Sequence, residues 1–189
     1  MSKEIIVLSV AIILFVYLII KSIYFYFKHK INPLAFLKAP LKERLLWLSF
    51  YIVLALYLIV TSLFSSNKLS LWFDNLTLDI IGYIILAVGI IILIVSHKQM
   101  GKSWRMGTNN NIKDLVISGL YKRSRNPVYL GLITLSFSML VLIQNIFTLI
   151  LLVLMILILN SIVKTEEKFL EKQFGEIYTE YKKKVRRFI

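Results

Sequence analysis

The residues able to do chemistry in this 189-residue chain lie in and beside two polar segments, 97–127 and 164–189. In the first, Arg125-Asn126-Pro127 reads as a helix start. Asn can cap orphan backbone N–H groups, and Pro fits the first helical position. Such an end presents N–H donors and positive dipole with Arg125 beside it, a site for a carboxylate or phosphate; an ordinary capped helix with snorkelling basic residues is the plainer alternative. Gly131, one turn further on, admits the close approach of another helix or of a ligand, packing being the commoner use. Trp104-Arg105 joins an aromatic plate to a fork-shaped donor, either an interfacial anchor or a binding element. In the second segment Glu167, Leu170, Phe174, Tyr178, Tyr181 and Val185 share one stripe at 100° per residue, the mark of an amphipathic helix. Glu167 puts a carboxylate in the middle of that stripe, and Glu166 borders it. An inward-facing acid at a membrane boundary is a functional candidate, and pairing with Arg125 or Arg105 is the structural alternative.

Other chemistries are closed off. With no cysteine there is no disulfide framework, thiolate nucleophile or cysteine-zinc site. The two histidines, His29 and His97, stand far apart without a partner at metal spacing, so no metal is expected. A net charge of +13 would suit nucleic acid only if it formed a solvated face. Here the basic residues fall in short blocks between apolar runs, which points to lipid headgroups and excludes nucleic acid as partner.

What positions the candidate residues is a membrane bundle. Fifty-eight percent apolar residues against 17% charged is too much apolar surface for a soluble domain. Crossing about 30 Å of hydrocarbon takes roughly 20 helical residues, and five runs qualify, about 5–27, 45–64, 78–96, 128–144 and 146–163. The first outlasts a signal-peptide core and lacks a cleavage site, so it is an anchor. Twenty of the 23 Lys and Arg fall after runs one, three and five. By the positive-inside rule the N-terminus lies outside and the C-terminus in the cytoplasm. The last two runs, about 25 Å each and separated by Gln144-Asn145, form a tight hairpin too short to cross fully with ease. Its ends open toward the two polar segments, which must therefore be neighbours. The expected fold is all-α: one polytopic domain over 1–189, with three N-terminal transmembrane helices in 1–96, then a loop, the short hairpin and a cytoplasmic amphipathic tail helix in 97–189.

The run Leu115-Val116-Ile117-Ser118-Gly119-Leu120-Tyr121, then Arg125-Asn126-Pro127-Val128-Tyr129-Leu130-Gly131, the hairpin, and Glu166-Glu167 with Phe174-Gly175 and Tyr178 and Tyr181 resembles the isoprenylcysteine carboxyl methyltransferase family and its phospholipid methyltransferase relatives. The resemblance covers roughly 97–189, and Gly101-Lys102-Ser103-Trp104-Arg105 is similar to bacterial members, implying a prokaryotic cell membrane. It implies an integral membrane enzyme moving a methyl group from S-adenosylmethionine to a lipophilic acceptor from the bilayer. Carried over by position, Gly119, Tyr121, Arg125, Asn126, Pro127, Tyr129 and Gly131 would build one wall of the cofactor pocket, and Glu166, Glu167, Tyr178 and Tyr181 the other. One departure stands out. The family's usual Arg-His-Pro is Arg125-Asn126-Pro127 here, and an amide cannot carry the charge an imidazole can.

On that resemblance Arg125 and the helix start would hold the cofactor's carboxylate, Glu167 its ammonium or ribose, and tyrosine rings its sulfonium. An acceptor carboxylate would need only an orienting Arg105; an amine or hydroxyl would need a base, for which Glu167 is the candidate. Arg105, Arg125 and Glu167 are thus the expected catalytic residues. Sterol and steroid reductases, which use NADPH, have a similar C-terminal half, and a non-catalytic scaffold is a third reading.

Overall fold

The computed structural model describes residues 3–29, 35–66, 72–73, 75–103 and 114–188. They form six α-helices, α1 (Lys3–His29), α2 (Leu41–Ser65), α3 (Leu76–Met100), α4 (Pro127–Leu142), α5 (Ile146–Phe174) and α6 (Glu176–Lys184), with short 3-10 turns at Ala35–Lys38, Gly101–Ser103 and Gly119–Lys122. Among the described residues there is no strand, only a single parallel bridge between Ser124 and Arg186. The chain is an all-α membrane bundle. Helices α1, α2, α3 and α5 are long and apolar enough to cross a bilayer, and α4 is shorter at 16 residues.

The hairpin turns at Gln144-Asn145 as its sequence indicates, but its arms are unequal. The fifth helix does not stop near 163; it runs unbroken for 29 residues to Phe174. No Gly or Pro interrupts Asn160–Phe174, so the helix continues until Gly175, whose φ of 54° ends it. The tail is therefore two pieces: the last turns of α5 carry Glu166, Glu167 and Leu170, and α6 carries Tyr178 and Tyr181. Asn145 starts α5 by accepting from the Phe147 N–H at 3.0 Å. The Trp72 N–H donates to the Gln144 carbonyl at 2.8 Å, tying the hairpin tip to the end of the bundle where α3 begins.

Helices α3 and α4 run antiparallel in the closest packing of the bundle. A Cβ at Gly131 would stand 3.1 Å from the Leu93 backbone nitrogen and 3.3 Å from the Gly89 carbonyl. Along the same seam Leu135 covers Gly89 and Leu142 covers Gly82, so small residues on one helix receive large ones from the other. The bundle closes as a ring: α1 packs on α2, α2 on α5, α5 on α4 and α4 on α3. Side chains complete it, with Lys3 paired to Asp79 and Tyr17 meeting His97, so α1 lies parallel to α3. Isoleucines and leucines such as Ile13, Ile52, Ile91 and Leu157 point outward, a surface suited to lipid.

Candidate active site

The two polar segments meet at one end of the ring, and the join is built from backbone as much as from side chains. The Arg125 N–H donates to the Arg186 carbonyl at 3.0 Å, and the Ser124 hydroxyl to the Arg187 carbonyl at 3.3 Å. The Tyr181 hydroxyl donates to the Tyr121 carbonyl at 2.6 Å. The chain after α6 thus lies alongside the residues that lead into α4.

Glu167 is the knot of this join. It is 3% exposed, with one oxygen 3.0 Å from Arg125 and the other 2.8 Å from Arg187. Arg125 also donates to the carbonyls of Lys182 and Val185, at 2.9 and 2.6 Å, so its guanidinium clamps the start of α4 to the C-terminal segment. Pairing with Glu167 holds the Arg187 guanidinium firmly in its charged form. Asn126 occupies the helix start that the sequence indicates, with Pro127 next, but its side chain does not cap α4. Its amide instead donates to Glu167 and to the Arg187 carbonyl, both at 3.3 Å, because a buried carboxylate competes better for that donor than a helix end does.

Beside this knot opens a cavity of about 210 Å³. Its polar end is lined by Tyr121, Arg125, Asn126, Tyr129, Glu166, Tyr178 and Tyr181, with Ser103 and Asp114 also on the wall. Its apolar end is lined by Phe15, Leu18 and Ile19 of α1, Trp47, Phe50 and Leu54 of α2, and Leu93 and Leu132. Five of these residues, Phe15, Leu18, Leu54, Leu93 and Leu132, also line a second apolar cavity of about 80 Å³ that continues into the bundle.

At the polar end Glu166 accepts from the Tyr129 hydroxyl at 2.8 Å and faces the cavity. Tyr121 is 4% exposed, and its hydroxyl has no hydrogen-bond partner among the described residues. Burial, with Glu166 adding to it, pushes that phenol well above its ordinary pKa. Burial also raises Tyr178, which Glu167 reinforces. Tyr181 is pushed up to about 12, burial outweighing the opposing pull of Arg125. All three rings are therefore neutral and able to donate at any working pH.

The residues singled out from sequence divide accordingly. Tyr121, Arg125, Asn126, Tyr129, Glu166, Tyr178 and Tyr181 share the cavity. Glu167 and Pro127 are not among its lining residues. Gly131 faces the α3 backbone, and Gly119, at φ +61°, packs on the Gln99 side chain, whose oxygen accepts from the Leu120 N–H at 2.8 Å. Arg105 and Trp104 lie outside the described residues. Sequence reasoning missed Arg187, which has no signal inside a basic run; Asp114; and the contribution of α1 and α2, read only as anchors. It also gave His97 no role, yet that ring is 4% exposed and lines the cavity. Among the described residues no group of acidic and histidine side chains could hold a metal.

No curated protein and no solved structure matches the chain. A family model does match, that of the phospholipid methyltransferases, over residues 78–177. This span takes in nearly all of α3, all of α4 and α5 and the first residues of α6, and so five of the seven residues named at the polar end of the cavity, Tyr178 and Tyr181 lying just beyond it. Over more than half its length, and at its candidate site, the chain belongs to the phospholipid methyltransferase family and is a membrane methyltransferase.

Proposed function

We propose that the protein transfers the methyl group of S-adenosylmethionine to a lipophilic acceptor drawn from the bilayer, in a prokaryotic cell membrane with the polar end of the cavity toward the cytoplasm. The observation that carries this reading is a cavity rich in tyrosine, carboxylate and guanidinium at one end and mainly aliphatic and aromatic at the other, where five of its residues also line a second, apolar cavity. A ligand with a charged aminoacyl part and a sulfonium suits the first end. A hydrocarbon chain suits the second, whose walls on α1 and α2 border the bilayer.

The donor set also fits the cofactor. Tyr121 offers a buried hydroxyl that has no partner among the described residues, and such a group costs free energy unless something completes it. S-adenosylmethionine supplies an electrophilic methyl on a sulfonium, so transfer is an in-line displacement that depends on alignment and dryness. Glu166, fixed by Tyr129, takes the ammonium or the ribose hydroxyls. The Tyr178 and Tyr181 rings face the cationic centre. Arg125 and the start of α4 suit the carboxylate, with Asn126 beside them. Glu167 acts by holding Arg125 and the C-terminal segment in place, and Arg105 remains the candidate for orienting an acceptor carboxylate.

The test is a transfer assay on purified protein with radiolabelled S-adenosylmethionine and a membrane lipid extract, expected to move label into the organic phase. Thermal shift with S-adenosylmethionine and with NADPH accompanies it. Stabilisation by NADPH alone overturns the reading in favour of a reductase, and stabilisation by neither, with no label transferred, favours a scaffold.

A further inference from the structure

The second cavity, about 80 Å³ in volume, has a regular construction that the cofactor site does not use. Helix α1 lines it from Ala11 to Leu18, α2 from Leu54 to Thr61 and α4 from Leu132 to Met139, and each contributes positions i, i+3, i+4 and i+7. That spacing is one stripe down one face of a helix over two turns. Three such stripes around one space enclose a slot parallel to the helix axes, about 10 Å long at 1.5 Å per residue. At its near end are the residues it shares with the larger cavity, among them Phe15, Leu54 and Leu132. Its far end is a floor at Thr61, Met139 and Met155, which are 1%, 6% and 1% exposed. Thr61 spends its hydroxyl on the Tyr57 and Leu58 carbonyls, at 2.9 and 3.0 Å, so it adds no free donor there. Along α4 the floor at Met139 lies about 20 Å from Asn126. The slot thus runs from the candidate active site toward the opposite membrane face, as a lipid tail runs inward from its headgroup.

We propose that this slot takes one straight hydrocarbon chain of the methyl acceptor, upright along the bilayer normal, and that its floor sets the chain length accepted. This rests on the methyl-transfer reading above and narrows its substrate class. The acceptor's reactive group lies at the polar end beside the cofactor, and its chain passes the shared leucine and phenylalanine side chains, which change rotamer to admit it. Hydrocarbon gains little by leaving one apolar medium for another, so the slot selects by fit and not by hydrophobicity. A chain too long overpacks the floor, and one too short leaves a void whose lining loses its contacts. Transfer therefore peaks at one chain length instead of rising steadily with it. Two of the three stripes belong to α1 and α2, which lie outside the residues 78–177 that match the family. The length preference is thus a property of this chain and not of the family.

The test uses the full-length protein in phosphatidylcholine vesicles with labelled S-adenosylmethionine and single-chain lipids of eight, twelve, sixteen and twenty carbons. Each length is supplied as lysophosphatidylethanolamine, fatty alcohol and fatty acid, for an amine, a hydroxyl and a carboxylate. A parallel set of fatty acids carries a photoreactive diazirine at the chain end, and the residues it labels are mapped by mass spectrometry. The wild type is expected to prefer one length, with transfer falling about tenfold for chains longer than the slot, and the chain-end label is expected on the floor. A11F adds bulk at the far end of the α1 stripe and is expected to move the optimum to shorter chains. M139A removes bulk at the floor and is expected to move it to longer ones. A11F fills existing space, so it serves even if M139A fails to fold. Coincident length profiles in wild type and A11F, or a chain-end label absent from the floor, overturn the proposal and leave methyl transfer standing. Label on the floor without transfer to any probe overturns the methyl-transfer reading and leaves a lipid site in the slot; neither label nor transfer overturns both.

Discussion

Glu166 and Glu167 are adjacent in the chain and turned to different tasks: Glu166 faces the cavity under the Tyr129 hydroxyl at 2.8 Å, while Glu167 is buried between Arg125 at 3.0 Å and Arg187 at 2.8 Å. On α5 the two are offset by 100°, enough to put one on the cavity side and the other on the α4 and C-terminal side. Removing one partner of a buried ion pair leaves uncompensated charge, at a cost on the order of 3 kcal/mol. E167Q is therefore expected to lower the thermal midpoint and reduce transfer together. E166Q keeps an acceptor for Tyr129, so its stability should change by less than about 1 kcal/mol while transfer falls tenfold or more. Thermal melts alongside the labelled-methyl assay separate the two; equal melting losses in both variants would remove the division of labour.

Arg187 tests whether the C-terminal segment is part of the site or merely lies on it. Its side chain is about one-third exposed, against 4% for Glu167, so solvent weakens its pair. R187A should cost about 1 kcal/mol. Because Glu167 also holds Arg125 and Asn126, the cavity wall should loosen more than that stability loss suggests, and the Kd for S-adenosylmethionine should rise severalfold in isothermal titration. An unchanged Kd would make the segment a passive brace.

What was legible in the sequence follows from which signals are local. The spans could be read because hydropathy is a property of consecutive residues, and the helix start at Asn126-Pro127 because Pro is tolerated at that position. That the hairpin ends bring residues 97–127 and 164–189 together followed from chain geometry alone, and Arg125 does meet Glu167. The division between Glu166 and Glu167 could not be read, since Glu167 lies within the stripe and Glu166 at its border, and only the rotation of α5 against α4 decides which of them faces the cavity. Asn126 was expected to cap α4, but a carboxylate 41 residues away takes its amide. His97 looked isolated because its partner Tyr17 lies 80 residues back, on a helix whose sequence shows only apolar length.

Gly131 was open to packing or to ligand approach, and its surroundings are the Leu93 nitrogen and the Gly89 carbonyl. Those are backbone atoms of α3 and cannot rotate away. G131L should force α3 and α4 apart at a cost of roughly 1–3 kcal/mol, seen as a lowered melting point. G131A should cost less, since its single methyl requires a shift of a few tenths of an ångström. If G131L melted like wild type yet lost cofactor binding, Gly131 would belong to the pocket instead of the seam.

Tyr121 allows the opposite kind of test, one in which the apoprotein has nothing to lose. Its hydroxyl is buried at the polar end of the cavity without a partner among the described residues, and the neighbouring link, the Tyr121 carbonyl to the Tyr181 hydroxyl, runs through the backbone and survives substitution. Y121F deletes an unsatisfied polar group, so the ligand-free protein should melt at the same temperature or higher. If the hydroxyl completes its hydrogen bond only with the cofactor, the same change should weaken S-adenosylmethionine binding about tenfold, the equivalent of one bond to a charged or strongly polar group. Burial holds the phenol protonated, so this deficit should not vary between pH 6 and about pH 9. A Y121F protein that is more stable and binds as tightly as wild type would place the cofactor away from this wall.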